Sequence, residues 1–132
     1  MSEENVEVVR QALDAMNRRE IDRYLGHCTQ DIVLRAPTGP IEGEYRGSDG
    51  IRRYFAGIDD VAPDFRLDAD SVNVVDDSRV IGRLRVTATG RASGVPIDLP
   101  VTTVYELVDG KISCICVFRD HDEALKAVGL EE

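Results

Sequence analysis

The chain of 132 residues has no surplus of positive charge. Sixteen Lys and Arg stand against 25 Asp and Glu, a formal net charge of -9 at pH 7. No basic run exceeds Arg18-Arg19 or Arg52-Arg53. Phosphate binding needs basic surface, so a nucleic-acid partner is not expected, and attraction to an anionic membrane is disfavoured for the same reason. Long apolar runs are also missing. The start, MSEENVEVV, has neither a basic n-region nor an apolar h-region, so the protein is expected to be cytoplasmic. Cysteine is scarce: Cys28, Cys114 and Cys116 are an odd number and form no disulfide framework.

Catalytic signatures are absent as well. The sequence has no Gly-rich phosphate loop, nucleophile elbow or HExxH. The segment EGEYRGSDG carries glycines but lacks the lysine and the preceding strand of a P-loop. Cys114 and Cys116 share one strand face, yet no matching Cys or His pair supplies the other two ligands of a metal site. No metal and no cofactor is therefore expected. No repeat, low-complexity stretch or linker interrupts residues 1–132, which read as a single domain long enough to bury a core.

What is present is a change of period. In SEENVEVVRQALDAMNRR, Val6, Val9, Leu13 and Met16 fall on one stripe, with Ala12 beside it; Ser2 suits the N-cap. IDRYLGHC reads as a short second helix. DIVLRA reads as a brief strand stopping at Pro37, and TGPIEGEYRG as a turn-rich loop leading to a Ser48 cap. The third helix, SDGIRRYFAGI, has Ile51, Tyr54, Phe55 and Ile58 on its apolar face. From Asp64 onward the period is two. FRLDADSVNVV, RVIGRLRVTATG, VPIDLPVTTVYELV and KISCICVFR are four strand candidates, with turns at Asp76-Asp77, Gly90–Gly94 and Asp109-Gly110. HDEALKAV closes the chain as a helical turn. Helices first and strands after predict an α+β domain, with helices on one face of a curved, mostly antiparallel sheet and a cone-shaped cavity between them.

The phrases VVRQALDAMNRREIDRYLGHCTQDIVLRAP, YRGSDGIRRYF, LPVTTVYELVDGKI and RDHDEALKAVGL resemble SnoaL-like proteins. These belong to the nuclear-transport-factor-two-like superfamily, with ketosteroid isomerases, limonene epoxide hydrolase and polyketide cyclases. The resemblance implies the cone fold over nearly the whole chain. It also implies where catalytic groups would stand. The isomerase's general base falls on Ala36, its oxyanion tyrosine on Ala12 and its protonated aspartic acid near Thr103. The epoxide hydrolase's aspartate falls at about Val117, and its water-positioning tyrosine and asparagine at Leu34 and Ala36. Arg83 and Arg85 stand on the strand of its other two groups, with no acid. Neither site can work without its carboxylates.

Two residues remain as acid/base candidates. Asp120, in FRDHD, is nearest to the cyclase aspartate that the resemblance implies, and the bland alternative is the acidic start of a helix. His27 ends the second helix, where a histidine often caps carbonyls. If Thr103, Tyr105 and Leu107 face the cavity, alternation puts Ser113, Ile115, Val117 and Arg119 there too. Arg119 would then anchor a carboxylate or enol oxygen, or else pair with an acid. Arg83 and Arg85 are expected on a solvated outer face, with Glu106 as a partner.

The leading expectation is a domain that binds a small hydrophobic molecule in an apolar pocket. Its lining is Leu34, Ala36, Tyr54, Phe55, Thr103, Tyr105, Ile115, Val117 and Arg119. The alternatives are a cofactor-free cyclase or isomerase using Asp120 or His27, and a dimerisation or scaffold domain. Cys114, Cys116, Val104 and Phe118 are expected to form an apolar patch on the outer sheet face, and a homodimer through it.

Overall fold

The structure is a computed structural model, and it describes residues 2–36, 43–89, 94 and 96–129. Helix α1 (Ser2–Asn17) buries the stripe read from the sequence: Val9, Ala12, Leu13, Ala15 and Met16 are all in the core. The chain then corners at Arg19, a non-glycine residue at φ 58°. Its guanidinium offsets that strain. It bonds Asp59 at 2.7 Å, the Met16 carbonyl at 2.9 Å and the Phe65 carbonyl at 3.0 Å. Helix α2 (Ile21–Gly26) follows, then strand β1 (Cys28–Ala36).

Strand β2 (Gly43–Arg46) was expected to be loop. It pairs antiparallel with β1, from Val33 opposite Arg46 to Ala36 opposite Gly43. That pairing keeps the chain extended through Arg46, which takes the N-cap position of helix α3 (Gly47–Val61). Ser48 thus lies inside the first turn and is not the cap. Pro37 and the rest of the expected loop before residue 43 lie outside the described residues.

Strands β3 (Arg66–Val74), β4 (Arg79–Thr89), β5 (Pro96–Val108) and β6 (Lys111–Phe118) are the four expected from the period-two stretch. The sheet order is β2-β1-β6-β5-β4-β3. Every neighbouring pair is antiparallel except β1 with β6, so the sheet is mixed. Asp109 (φ 49°) and Gly110 (φ 77°) make the two-residue β5–β6 turn, with both residues left-handed as this tight hairpin requires. Of the turn expected at Gly90–Gly94, only Gly94 falls among the described residues.

The two sheet faces have different cover. Helices α1 to α3 pack on the inner face, where Ile32, Ile51, Val80, Leu84 and Ile112 are almost wholly enclosed. Full burial of each such side chain contributes about 1.5–3 kcal/mol. Helix α4 (His121–Ala127) lies on the outer face, where Ala124 and Val128 join Ile81 and Val104, with Phe118 and Leu125 packed alongside. The outer apolar residues Val104 and Phe118 are therefore in contact with the chain's own last helix. No helix among the described residues is long and apolar enough to cross a membrane.

A bulge in β6 changes the expected alternation. Glu106 opposes Cys114 but Leu107 opposes Ile112, so Ser113 is the extra residue. Its hydroxyl donates to the Glu106 carbonyl at 3.1 Å, and it does not line the inner face with Ile115. The bulge lets Ile112 and Ile115, three residues apart, both enter the core.

Candidate functional site

The inner face gathers residues from four strands and two helices. Across the strands, Leu34 opposes Ile115, and Ile115 opposes Tyr105. One step along, Val117 opposes Thr103, and Thr103 opposes Gly82. From the helices come Tyr24 on α2 and Tyr54 and Phe55 on α3, all buried. Tyr24 meets Phe55 with ring centroids 5.1 Å apart, and Tyr54 meets Tyr45 at 5.1 Å, both edge to face. The structure thus brings Leu34, Ala36, Tyr54, Phe55, Thr103, Tyr105, Ile115 and Val117 together on the buried inner side of the sheet. Gly82 shapes that wall. A Cβ there would stand 3.2 Å from Leu84 Cδ2 and 3.6 Å from Tyr105 Cε2, so a larger residue would press on both side chains.

The wall is apolar in area but carries a set of neutral donors. Burial raises the phenols of Tyr24, Tyr54 and Tyr105 above the ordinary tyrosine value, and the neighbouring phenols push in the same direction. The Thr103 hydroxyl opposes that shift in part at Tyr105. Burial pushes the Cys28 thiol up to about 12, against a smaller opposing pull from Lys111. Cys28 donates to the Tyr24 carbonyl at 3.4 Å. At neutral pH all four groups are protonated. Among the described residues neither the Tyr24 nor the Tyr54 hydroxyl has a protein hydrogen-bond partner. Among the described residues the fully enclosed side-chain polar atom left unpaired is Thr29 Oγ1. Such an arrangement donates hydrogen bonds to an oxygen that carries or develops negative charge, and among the described residues no carboxylate joins it to remove a proton.

The acid/base candidates stand apart from this set. Asp120 is exposed and caps α4, its carboxylate accepting from the Asp122 amide at 2.8 Å. The bland reading of the acidic cluster is the one the geometry provides. Arg119 is exposed and lies beyond the end of β6 at Phe118, so strand alternation does not carry it inward. His27 is half-buried at the C-cap of α2. Burial, and then the Arg23 and Lys111 cations, lower its imidazole below the ordinary value and keep it neutral at pH 7. Arg85 pairs with Asp98 at 2.6 Å, and Arg79, not Arg83 or Arg85, opposes Glu106. No group of three or more metal-ligating side chains occurs among the described residues.

Tyr24 and Cys28 were not singled out from the sequence. A signal existed in the spacing: Cys28 follows Tyr24 by four residues, and from the first position of β1 its thiol reaches back to the Tyr24 carbonyl. What hid them was the short length of α2, which shows too little periodicity to reveal a face.

The profile of the SnoaL-like domain matches residues 9–115. No curated protein matches the chain in sequence. Solved structures do. An NTF2-like protein of unknown function from Burkholderia pseudomallei is 20% identical, with a TM-score of 0.81 over 97% of this chain and 98% of its own. TerC, co-crystallized with polyporic acid, is 18% identical, with a TM-score of 0.79 over 96% of this chain and 98% of its own. A provisionally assigned SnoaL-like polyketide cyclase from Jannaschia sp. CCS1 is 18% identical, with a TM-score of 0.79 over 100% of this chain and 96% of its own. At these identities the likeness establishes the fold.

Proposed function

The chain belongs to the SnoaL-like domain family, related to polyketide cyclases, and from that premise we propose that it binds a flat hydrophobic molecule bearing a carbonyl or enol oxygen. The observation that carries this reading is the convergence of Tyr24, Tyr54 and Tyr105 on the inner face, with the Tyr24 and Tyr54 hydroxyls lacking a hydrogen-bond partner among the described residues. Aromatic and aliphatic walls recognise the body of such a ligand. The phenols orient its one polar end. TerC, of the same fold, was co-crystallized with polyporic acid, which supports a small organic molecule as the kind of ligand to test.

Polyporic acid is the first probe, beside a steroid and a purely apolar aromatic of similar size. The wild-type protein is expected to gain thermal stability with the oxygen-bearing ring, because binding to the native state raises its stability. Tyr54→Phe should weaken affinity about three- to tenfold, the worth of one neutral hydrogen bond, with the fold unchanged. Equal affinity of the apolar aromatic and the oxygen-bearing ring, or no effect of Tyr54→Phe and Tyr105→Phe on binding, would overturn the reading.

A further inference from the structure

Strand β6 carries a second chemical feature on its other face. Cys114 and Cys116 both point outward, and their sulfurs lie 3.7 Å apart. Both side chains are half-exposed and neither is in a disulfide. Arg35 on the parallel neighbour β1 sits across from Cys116, with its Nη1 3.9 Å from one sulfur and 4.0 Å from the other. Glu44 holds that guanidinium in place at 3.1 Å from its Nε. The pair is thus a fixed dithiol with a cation over both sulfurs. Helix α4 covers Val104 and Phe118 further along the same face.

The spacing selects what such a pair can hold. A disulfide requires sulfurs at about 2.05 Å, which two parallel side chains of one strand reach only by moving the backbone. A tetrahedral zinc site requires four ligands, and no third His, Cys, Asp or Glu joins the pair among the described residues. With bonds of about 2.3 Å, the 3.7 Å span subtends roughly 107° at a bridging atom, a bent geometry; a linear two-coordinate ion would need about 4.6 Å. The centre that fits is thiophilic, bent, and satisfied by two sulfurs.

We propose that Cys114 and Cys116 form a chelating site for a trivalent organoarsenical on the outer face of the sheet. The step is a condensation. The arsenic–oxygen bond of the arsenoxide breaks, two arsenic–sulfur bonds form, and the two thiol protons leave with the oxygen as water. Arsenic remains trivalent and no oxidant or reductant is needed. Arg35 stabilises the developing thiolates as the protons depart.

Phenylarsine oxide is the probe, read by intact mass of the native protein. One adduct per chain is expected, displaced by a competing dithiol and resistant to a monothiol. Cys114→Ser and Cys116→Ser should each weaken retention at least a hundredfold, while Cys28→Ser should retain the adduct. Circular dichroism checks that each variant is folded. Retention by either single outer-face variant would overturn the proposal. So would an adduct that forms only after denaturation, the result expected if a second copy of the chain shields this face. Because the site is independent of the inner wall, neither outcome bears on ligand binding there.

Discussion

Asn17 offers the sharpest test of how the helices are held over the sheet. Its side-chain amide closes a two-way bond with the backbone of β3. Nδ2 donates to the Leu67 carbonyl at 2.8 Å, and the Leu67 amide donates to Oδ1 at 2.9 Å. Because β3 is an edge strand, the amide takes the place of a missing neighbouring strand at that residue. Two neutral hydrogen bonds of about 1 kcal/mol each put the cost of Asn17→Ala at about 2 kcal/mol. With a urea slope of roughly 2 kcal/mol per molar for a domain of this size, the midpoint should fall by about 1 M. Asn17→Asp keeps the acceptor but sets a carboxylate against the Leu67 carbonyl, so at pH 7 it should lose at least as much. Below about pH 4 the introduced carboxyl is protonated and regains a donor, so its deficit should shrink. An unchanged midpoint for Asn17→Ala would refute the clasp, and a pH-independent deficit for Asn17→Asp would refute the two-way geometry.

Three further outcomes are expected. The folded state resists protonating His27, so stability should decline as pH falls through 6.5, the ordinary histidine value; His27→Gln should flatten thermal melts between pH 7 and 5. Asp76 is held down to about 2 by Arg79, with Nη2 at 2.7 Å, and by the Ser78 amide. Its stabilisation is full above 3.8 and is lost as pH falls toward 2, so the gap between wild type and Asp76→Asn should close across that window in acid titration. Gly82→Val pushes methyl groups toward Leu84 and Tyr105 and should cost about 1–3 kcal/mol by overpacking, read by chemical denaturation. The same variant should lose the thermal shift given by polyporic acid, and full retention would place the ligand elsewhere.

The helical stripe of α1 was legible because four apolar residues at a spacing of three and four allow one buried face. The strands β3 to β6 were legible because alternation leaves one face apolar over many residues. β2 was not. It is four residues long, has no alternation to show, and exists because β1 offers it an edge. The inner wall was anticipated where long strands carry it, as at Thr103, Tyr105, Ile115 and Val117. It was missed at Tyr24, which reaches it from a six-residue helix, and at Cys28, the first residue of β1.

Local pattern also failed wherever a strand departs from strict alternation or ends. Ser113 has the parity of an inward residue, but the bulge gives it to the Glu106 carbonyl. Arg119 has the same parity, yet the strand has ended one residue earlier. Asp120 looks like an acid near a cavity in sequence, and in three dimensions its carboxylate accepts from the Asp122 amide at the start of α4.

The sequence by itself determined the order of elements, the apolar side of each long one, and the absence of carboxylates at Ala36 and Val117, since these depend only on residue identity and period. Only the tertiary structure decided which neutral donors meet. Tyr24, Tyr54 and Tyr105 lie on three elements far apart along the chain, and they join one buried cluster because α2 and α3 pack on β1, on the inner face that β5 shares. Packing against a common face is a property of the closed chain, and no local period encodes it.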